Sequence, residues 1–448
     1  MILLINPKTT KSSELHTEFF REPNSGILYL AAVLDNENIP VDILDLEQYA
    51  DLSFNEQLDI IRNVIDIYQI FGITCLTNTF HLAVKIAKAI KSMNSDKFIV
   101  FGGPHASFQF NEILQEYQEI DFICVGEAED SFLQLSNHLL NENNLYPHFR
   151  ELEIEKKLNN IKGLAFLNSK HEILFTGFPD PIEINSLPLP ARYKLPQDLH
   201  YYKVANIVIN RGCPNQCSFC SRQELFKTTR IRNIDSILAE IKDIMILQNY
   251  EYINFYDNIN INRKFFKQFC KMFIDNNIDI PWGCELRVDT ITDTEASLLK
   301  SAGCKLVATG IESSSLEVLK KNFKYQDPAA VVQGIRNLKK YEIPIQAYFV
   351  LGLPGETEET VSNTINYIQN LPLGGDDTID YFSATPYPGS RLWDMRNGKD
   401  INIIESDFSK FDCQHVIFET EQLKYFKLKQ LFKDVKNIEK DFIKRVYQ

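Results

Sequence analysis

Three cysteines at one short spacing carry the clearest chemistry in the sequence. Cys213, Cys217 and Cys220 stand as CxxxCxxC within Arg211-Gly-Cys-Pro-Asn-Gln-Cys-Ser-Phe-Cys220. Three thiolates from one loop can converge on a single small inorganic centre. A structural zinc ordinarily takes four ligands in two separated pairs, and no second pair lies near this loop. A cubane 4Fe–4S cluster held by three cysteines keeps one iron without a protein ligand, where a small molecule can chelate. A zinc site and chance core thiols remain as plainer readings, against which the Gly, Pro and Asn among the cysteines argue for a shaped loop. The other six cysteines (Cys75, Cys124, Cys270, Cys284, Cys304 and Cys413) are scattered through mostly apolar stretches and read as ordinary buried thiols.

Positioning such a loop needs strands and helices, and the chain alternates them twice. Apolar β-rich runs at 2–6, 41–46, 70–77, 97–103 and 121–127 are separated by amphipathic stretches. Five such units fit a doubly wound parallel sheet of flavodoxin type, which binds ligands at the carboxyl ends of its strands. A second series runs through 205–210, 252–257, 281–287, 305–313, 344–352 and 379–386. Six βα units are too few for an eight-unit closed barrel and fit an open, partial one. Between the series, 142–200 reads as a connector with a hairpin around NSKH and a Pro-spaced stretch. The tail places Leu423, Phe426, Phe432, Val435, Ile438, Phe442 and Val446 at mostly helical spacing, which reads as an amphipathic lid. The expected layout is therefore α/β. A doubly wound, Rossmann-like sheet domain spans 1–141, the connector 142–200, the partial barrel 201–390 and a helical extension 391–448.

Polar groups and glycines gather where the strands of both series end. In the second they are Tyr256-Asp257-Asn258, Arg287, Gly310-Ile-Glu312-Ser313, Gly352-Leu-Pro-Gly-Glu356-Thr357 and Thr385-Pro-Tyr-Pro-Gly389. Thr357 is expected to cap the helix after its turn. In the first they are Thr74-Cys75-Leu76-Thr77, Gly102-Gly103-Pro104-His105 and Gly126-Glu127. Glycines at a strand's carboxyl end let the backbone approach a bulky ligand closely.

The cysteine loop after the first strand of a six-unit partial barrel resembles the radical S-adenosylmethionine superfamily. The resemblance implies that Cys213, Cys217 and Cys220 hold a 4Fe–4S cluster whose open iron chelates S-adenosylmethionine, cleaved to a 5′-deoxyadenosyl radical. It places Phe219 beside the adenine, and Arg287, Glu312 or Ser313, with Asp257 nearby, against the methionine and ribose parts. The amino-terminal series is similar to the cobalamin-binding fold. Thr74, Leu76 and Thr77 stand for a Ser-x-Leu element with Thr in place of Ser, Gly102, Gly103 and His105 for the Gly-Gly element, and Gly126-Glu127 for the later GE. The Asp-x-His-x-x-Gly motif that supplies a lower axial ligand elsewhere is missing; His105 is better suited to hydrogen bonding in its loop than to cobalt. The loop 7–25 is unusually long for a βα turn, which suits a cover over cobalamin or substrate.

Together the two resemblances imply a cobalamin-dependent radical S-adenosylmethionine enzyme. The expected reaction is methyl transfer to an unactivated carbon or phosphorus of a small-molecule or peptide substrate. A rearrangement, cyclisation or oxidation without net methylation is the alternative. A tRNA methylthiotransferase would carry three further cysteines in its first domain and a basic tail domain, whereas only Cys75 and Cys124 occur there. A non-enzymatic iron–sulfur sensing module would hold a cluster that leaves S-adenosylmethionine intact. A flavodoxin- or ferredoxin-type donor is implied as the source of a low-potential electron.

Composition narrows the partners. The formal net charge of −13 repels nucleic-acid phosphates. No run of about twenty apolar residues occurs, so no membrane span is expected. The opening MILLINPKTT turns polar too soon for a secretion signal, and nine cysteines without one suggest a reduced, cytoplasmic setting.

Overall fold

The computed structural model describes residues 1–8, 21–141, 152–196, 201–247, 250–398 and 400–446; the side chains of 141, 152–154, 397 and 440–446 are outside the description. Most of the long loop 7–25 and the side chains of Phe442 and Val446 thus lie outside the described residues. The chain forms two compact units. The first comprises Met1–Thr17, Pro23–Tyr201 and Ser221–Arg230, and the second Glu18–Glu22, Tyr202–Cys220 and Ile231–Gln448.

The first unit is built on β1 (Ile2–Asn6), β2 (Val41–Asp45), β3 (Ile70–Thr74), β4 (Phe98–Gly102) and β5 (Phe122–Cys124), all parallel. The order is β2-β1-β3-β4-β5, followed by β6 (Leu164–Leu167) and β7 (Ile173–Phe175). The order reverses at β1, the switch point where open sheets of this kind take ligands. The expected hairpin is present as β6 and β7, but β6 pairs antiparallel with β5 and so extends the sheet. Strands covered on both faces need apolar side chains throughout, and Ile70, Phe71 and Ile73 of β3 are fully buried. Each such burial stabilises the fold by about 1.5–3 kcal/mol. The flanking helix Phe54–Val64 starts at a capping box in which Ser53 and Glu56 satisfy each other's backbone N–H.

The second unit holds β8 (Val204–Asn206), β9 (Tyr252–Asn258), β10 (Trp282–Glu285), β11 (Cys304–Glu312), β12 (Ile345–Leu351) and β13 (Thr378–Ser383). They lie side by side in chain order and every pair is parallel, as an open partial barrel requires. Their outer face packs under helices. Trp282 stacks on Phe273 at 4.6 Å between ring centres, and Phe255 meets Phe269 edge-on at 4.9 Å. The helix Tyr425–Val446 closes one side, burying Leu428, Phe432 and Val435 in the same core. Phe426 is 84% exposed instead, because it lies two residues, more than half a turn, from Leu428. An antiparallel pair, Ile401–Ile403 with Phe418–Thr420, precedes this helix; runs of three residues left no readable alternation. No described helix is long and apolar enough to cross a membrane.

Candidate active site

In the second unit the cysteine loop follows β8. Cys213 and Cys217 are half-buried and Cys220 is exposed. Burial pushes the Cys217 thiol up to about 11, while the Lys324 ammonium pulls it down and the other two thiols act on it as neighbours. Among the described residues no three His, Cys, Asp or Glu side chains could hold a single metal ion. A lone zinc needs its sulfurs around one atom, whereas a cube offers each thiolate a different iron. Three mutually sensed thiols with a cation beside them fit the larger object.

The loop is held by a residue that spacing could not reveal. Asn322 is fully buried and its side chain donates to Pro354 O at 3.0 Å and Val318 O at 2.8 Å. It also accepts from Ser218 Oγ at 2.7 Å, and its backbone carbonyl accepts from Ser218 N at 2.9 Å. One amide thus ties the cysteine loop to the loops after β11 and β12. Leu392 N donates to Ser218 O at 2.7 Å from a third direction. Phe219 packs against the apolar cluster of Val318, Leu353, Ala384 and Leu392. Asn215 donates from Nδ2 to Cys213 Sγ at 3.5 Å.

The strand-end residues fall into two groups. Arg287 and Glu312 stand by the cysteine loop. Arg287 pairs with Asp289 at 2.7 Å and donates to Asn215 Oδ1 at 3.5 Å. Glu312, buried, accepts from the half-buried Lys324 Nζ at 2.9 Å. Although burial pulls Lys324 down, the Glu312 carboxylate beside it holds its ammonium above the usual range. Glu312 sits in left-handed backbone at φ 66°, where the register with β12 shifts. Gly310 leaves room for its carboxylate, since a Cβ there would lie 2.2 Å from Glu312 Oε1. Asp257 and Ser313 are engaged inside the fold. Asp257 Oδ2 accepts from the backbone of Ile209 and from Asn210 N at 2.9 Å, setting the chain that leads into the cysteine loop. Ser313 Oγ accepts from Ser315 N at 3.2 Å and meets Thr364 Oγ1 at 3.4 Å. In the turn after β12, Thr357 caps its helix as expected. Glu356 folds back to accept from Gly352 N at 2.6 Å, and burial pushes its carboxyl up to about 8.

The first unit's carboxyl edge is made chiefly of backbone. Cys75 N donates to Gly102 O at 2.8 Å and His105 N to Cys75 O at 3.1 Å, which zips the loops after β3 and β4 together. Gly103 has φ 92°, and a Cβ there would lie 3.0 Å from both Cys75 O and Thr74 Oγ1. A Cβ on Gly102 would meet nothing within 4 Å, so the chain leaves open space at the end of β4. Leu76 is 39% exposed in the adjoining loop. An open glycine edge with a hydroxyl and an apolar side chain fits a large, flat cofactor. His105 is buried against Phe80, with Nδ1 3.2 Å from Thr77 Oγ1, and burial lowers its ring to about 3, keeping it neutral. Ser107 Oγ accepts from Gly126 N at 2.9 Å and donates to Gly103 O at 2.8 Å, a link that no spacing rule announced. Glu127 pairs with Arg230 at 2.7 Å.

A model of the radical SAM superfamily matches residues 207–368, and one of the B12 binding domain matches 19–136. The chain is 28% identical over 447 residues to an uncharacterized methyltransferase of Pyrococcus horikoshii, covering 96% of this chain and 90% of that protein. It is 27% identical to the anaerobic magnesium-protoporphyrin IX monomethyl ester cyclase of Rubrivivax gelatinosus, over 77% of this chain and 60% of the cyclase. Its fold is similar to the radical S-adenosylmethionine methyltransferase TsrM of Kitasatospora setae, solved with cobalamin and a [4Fe–4S] cluster. The TM-score is 0.70 at 14% identity, covering 94% of this chain and 84% of that one.

Proposed function

We propose that this chain, a member of the radical S-adenosylmethionine superfamily that carries a B12 binding domain, is a cobalamin-dependent methyltransferase acting on an unactivated carbon or phosphorus centre. The observation that carries the reading is the pairing of a three-thiol loop at one parallel sheet's carboxyl edge with an open glycine edge on another. When bound, the cluster, S-adenosylmethionine and cobalamin supply the electron, the 5′-deoxyadenosyl radical and the methyl group.

The chain's own residues bind, orient and shield. Cys213, Cys217 and Cys220 would hold the cluster, and Asn322 fixes their loop. Phe219 offers an aromatic face for adenine. Arg287 supplies a fork of N–H donors for a carboxylate, and Glu312 an acceptor for ribose hydroxyls. Asp257 and Ser313 serve the same site by setting the backbone on either side of it. In the first unit Thr74, Leu76, Thr77, Gly102, Gly103 and Gly126 frame cobalamin. His105 and Glu127 brace those loops through Thr77 and Arg230. A flavodoxin- or ferredoxin-type protein delivers the electron.

Similarity to the cyclase favours a second reading, in which the same cofactors drive ring closure or oxidation without net methylation. Product mass separates the two. Turnover with methyl-labelled S-adenosylmethionine is expected to label the product; an unlabelled product formed with 5′-deoxyadenosine would favour the second reading.

A further inference from the structure

Side chains alternate along the second unit's strands and sort onto two faces. Phe255 of β9, Phe349 of β12 and Ile379 of β13 belong to the core beneath the helices. The neighbouring positions on the other face include the polar Asn254, Tyr256, Glu285, Gln346, Tyr348 and Asp380, with Val350 and Phe382 beside them. Lys305, at the amino end of β11, is the one lysine or arginine among the described residues of these six strands. Tyr256 keeps 46% of its surface accessible, so the face is open rather than sealed.

Glu22 reaches this face from outside the strands. Asn254 Nδ2 donates to its Oε1 at 3.0 Å, and the Tyr256 hydroxyl also bonds to its carboxyl. Burial raises the carboxyl to about 7, and these two bonds only partly oppose it; no cation is among the groups that set it. Tyr252, Tyr256 and Tyr348 feel its charge, and Tyr256 and Tyr348 also feel that of Glu285, while Asp380 acts on Tyr348. A cationic nitrogen entering here would meet a carboxylate already oriented by two donors, further acidic groups and aromatic rings. An anion would meet the carboxylates of Glu22, Glu285 and Asp380 there, with the strands' one cation, Lys305, at their amino end.

We propose that Glu22 is a substrate-binding residue that takes a cationic nitrogen, so that the substrate is an amine-bearing molecule rather than a phosphate, phosphinate or carboxylate. The assignment rests on the second unit being the reaction barrel of the methyltransferase reading, and it selects carbon rather than an anionic phosphorus group as the methyl acceptor.

The test uses the chain loaded with cluster and corrinoid, and two probes of like shape and opposite charge, tryptamine and indole-3-propionate. Calorimetric titration near pH 7, in buffers of different ionisation heat, reads affinity and proton release together. An ammonium favours the ionised carboxylate, so tryptamine binding is expected to expel a proton. It should bind at least about tenfold tighter than the propionate, the equivalent of one pKa unit. Glu22→Gln should lose both the preference and the proton release. Equal or inverted preference, no tryptamine binding, or a Glu22→Gln chain that keeps both properties overturns the assignment. If circular dichroism shows that Glu22→Gln does not fold, Asn254→Ala replaces it. Removing that donor should weaken tryptamine severalfold, and unchanged affinity overturns the assignment. Formation of 5′-deoxyadenosine in the same preparation reports separately on the parent reading. Its presence without the binding preference removes only the substrate class, and its absence removes the reading beneath it.

Discussion

The two carboxyl edges of this molecule are made of different materials. At the first, glycines and peptide groups do the shaping: Gly102 leaves space, Gly103 permits close approach of two loops, and Ser107 pins Gly103 to Gly126. At the second, side chains do it: three thiols, the Glu312–Lys324 pair and the Asn322 amide that gathers three loops. Under the proposed reading a broad ring system would be met by surface at the first edge, and a charged cluster with its nucleoside by charge and ligation at the second. Substitutions should therefore fail in different ways at the two edges.

The largest effect is expected from Cys217→Ala. It should abolish iron-dependent formation of 5′-deoxyadenosine yet leave hydroxocobalamin retention, followed by its visible bands, largely intact. Corrinoid loss in step with iron loss would erase the distinction between the edges. Next comes Gly102→Leu, which enters open space at ordinary φ. It should leave the melting temperature unchanged and lower corrinoid retention by about tenfold or more, as a filled cradle would. Gly103→Ala is the contrasting change, with strain of about 1–3 kcal/mol in the fold itself. If Gly102→Leu instead lowers stability while corrinoid stays bound, the open space is not the cofactor's.

Asn322→Ala should destabilise the second unit by about 2–4 kcal/mol, because it strands the buried Ser218 hydroxyl and the Pro354 carbonyl. Iron content after reconstitution should fall with it, although no ligand has been removed. Full iron content in a destabilised variant would mean that the cluster loop holds its shape without this brace.

A gentler effect concerns pH. Glu356 has its carboxyl raised from 4.5 to about 8 by burial. Between those values the folded chain keeps a proton that the unfolded chain has released, so stability falls as pH rises through the window. Glu356→Gln has no such proton, and the difference in melting temperature should shift in its favour from pH 5 to pH 8. A constant difference would show that Glu356 is already ionised in the fold. The smallest effect is expected from Phe426→Ser, within about 0.5 kcal/mol in a melting experiment, since that ring faces solvent.

Much of this architecture is legible in the sequence. Continuous apolar runs at 70–77 and 97–103 announced β3 and β4 because buried parallel strands need such runs, and the ends of the strands were off by only a few residues. The cysteine loop was legible because its ligands are close in sequence. Asn322, Lys324 and Ser107 were not, since each acts across loops brought together only by folding. Glu22 is hidden differently: it follows a stretch with no periodicity, and its bonds to Asn254 and Tyr256 mark it. The hairpin at β6 and β7 is legible in the sequence, but its attachment to β5 follows from edge pairing, which no local pattern encodes. Asp257 and Ser313 sit at strand ends as expected and turn their side chains to the backbone and to Thr364.

The central claim is that three thiols hold an iron–sulfur cube with one iron left open. Electron paramagnetic resonance of anaerobically reconstituted, dithionite-reduced chain tests it most directly. The account predicts about four irons per chain and a reduced-cluster signal whose shape changes when S-adenosylmethionine is added. An iron-free chain, or a cluster signal indifferent to S-adenosylmethionine, would contradict it.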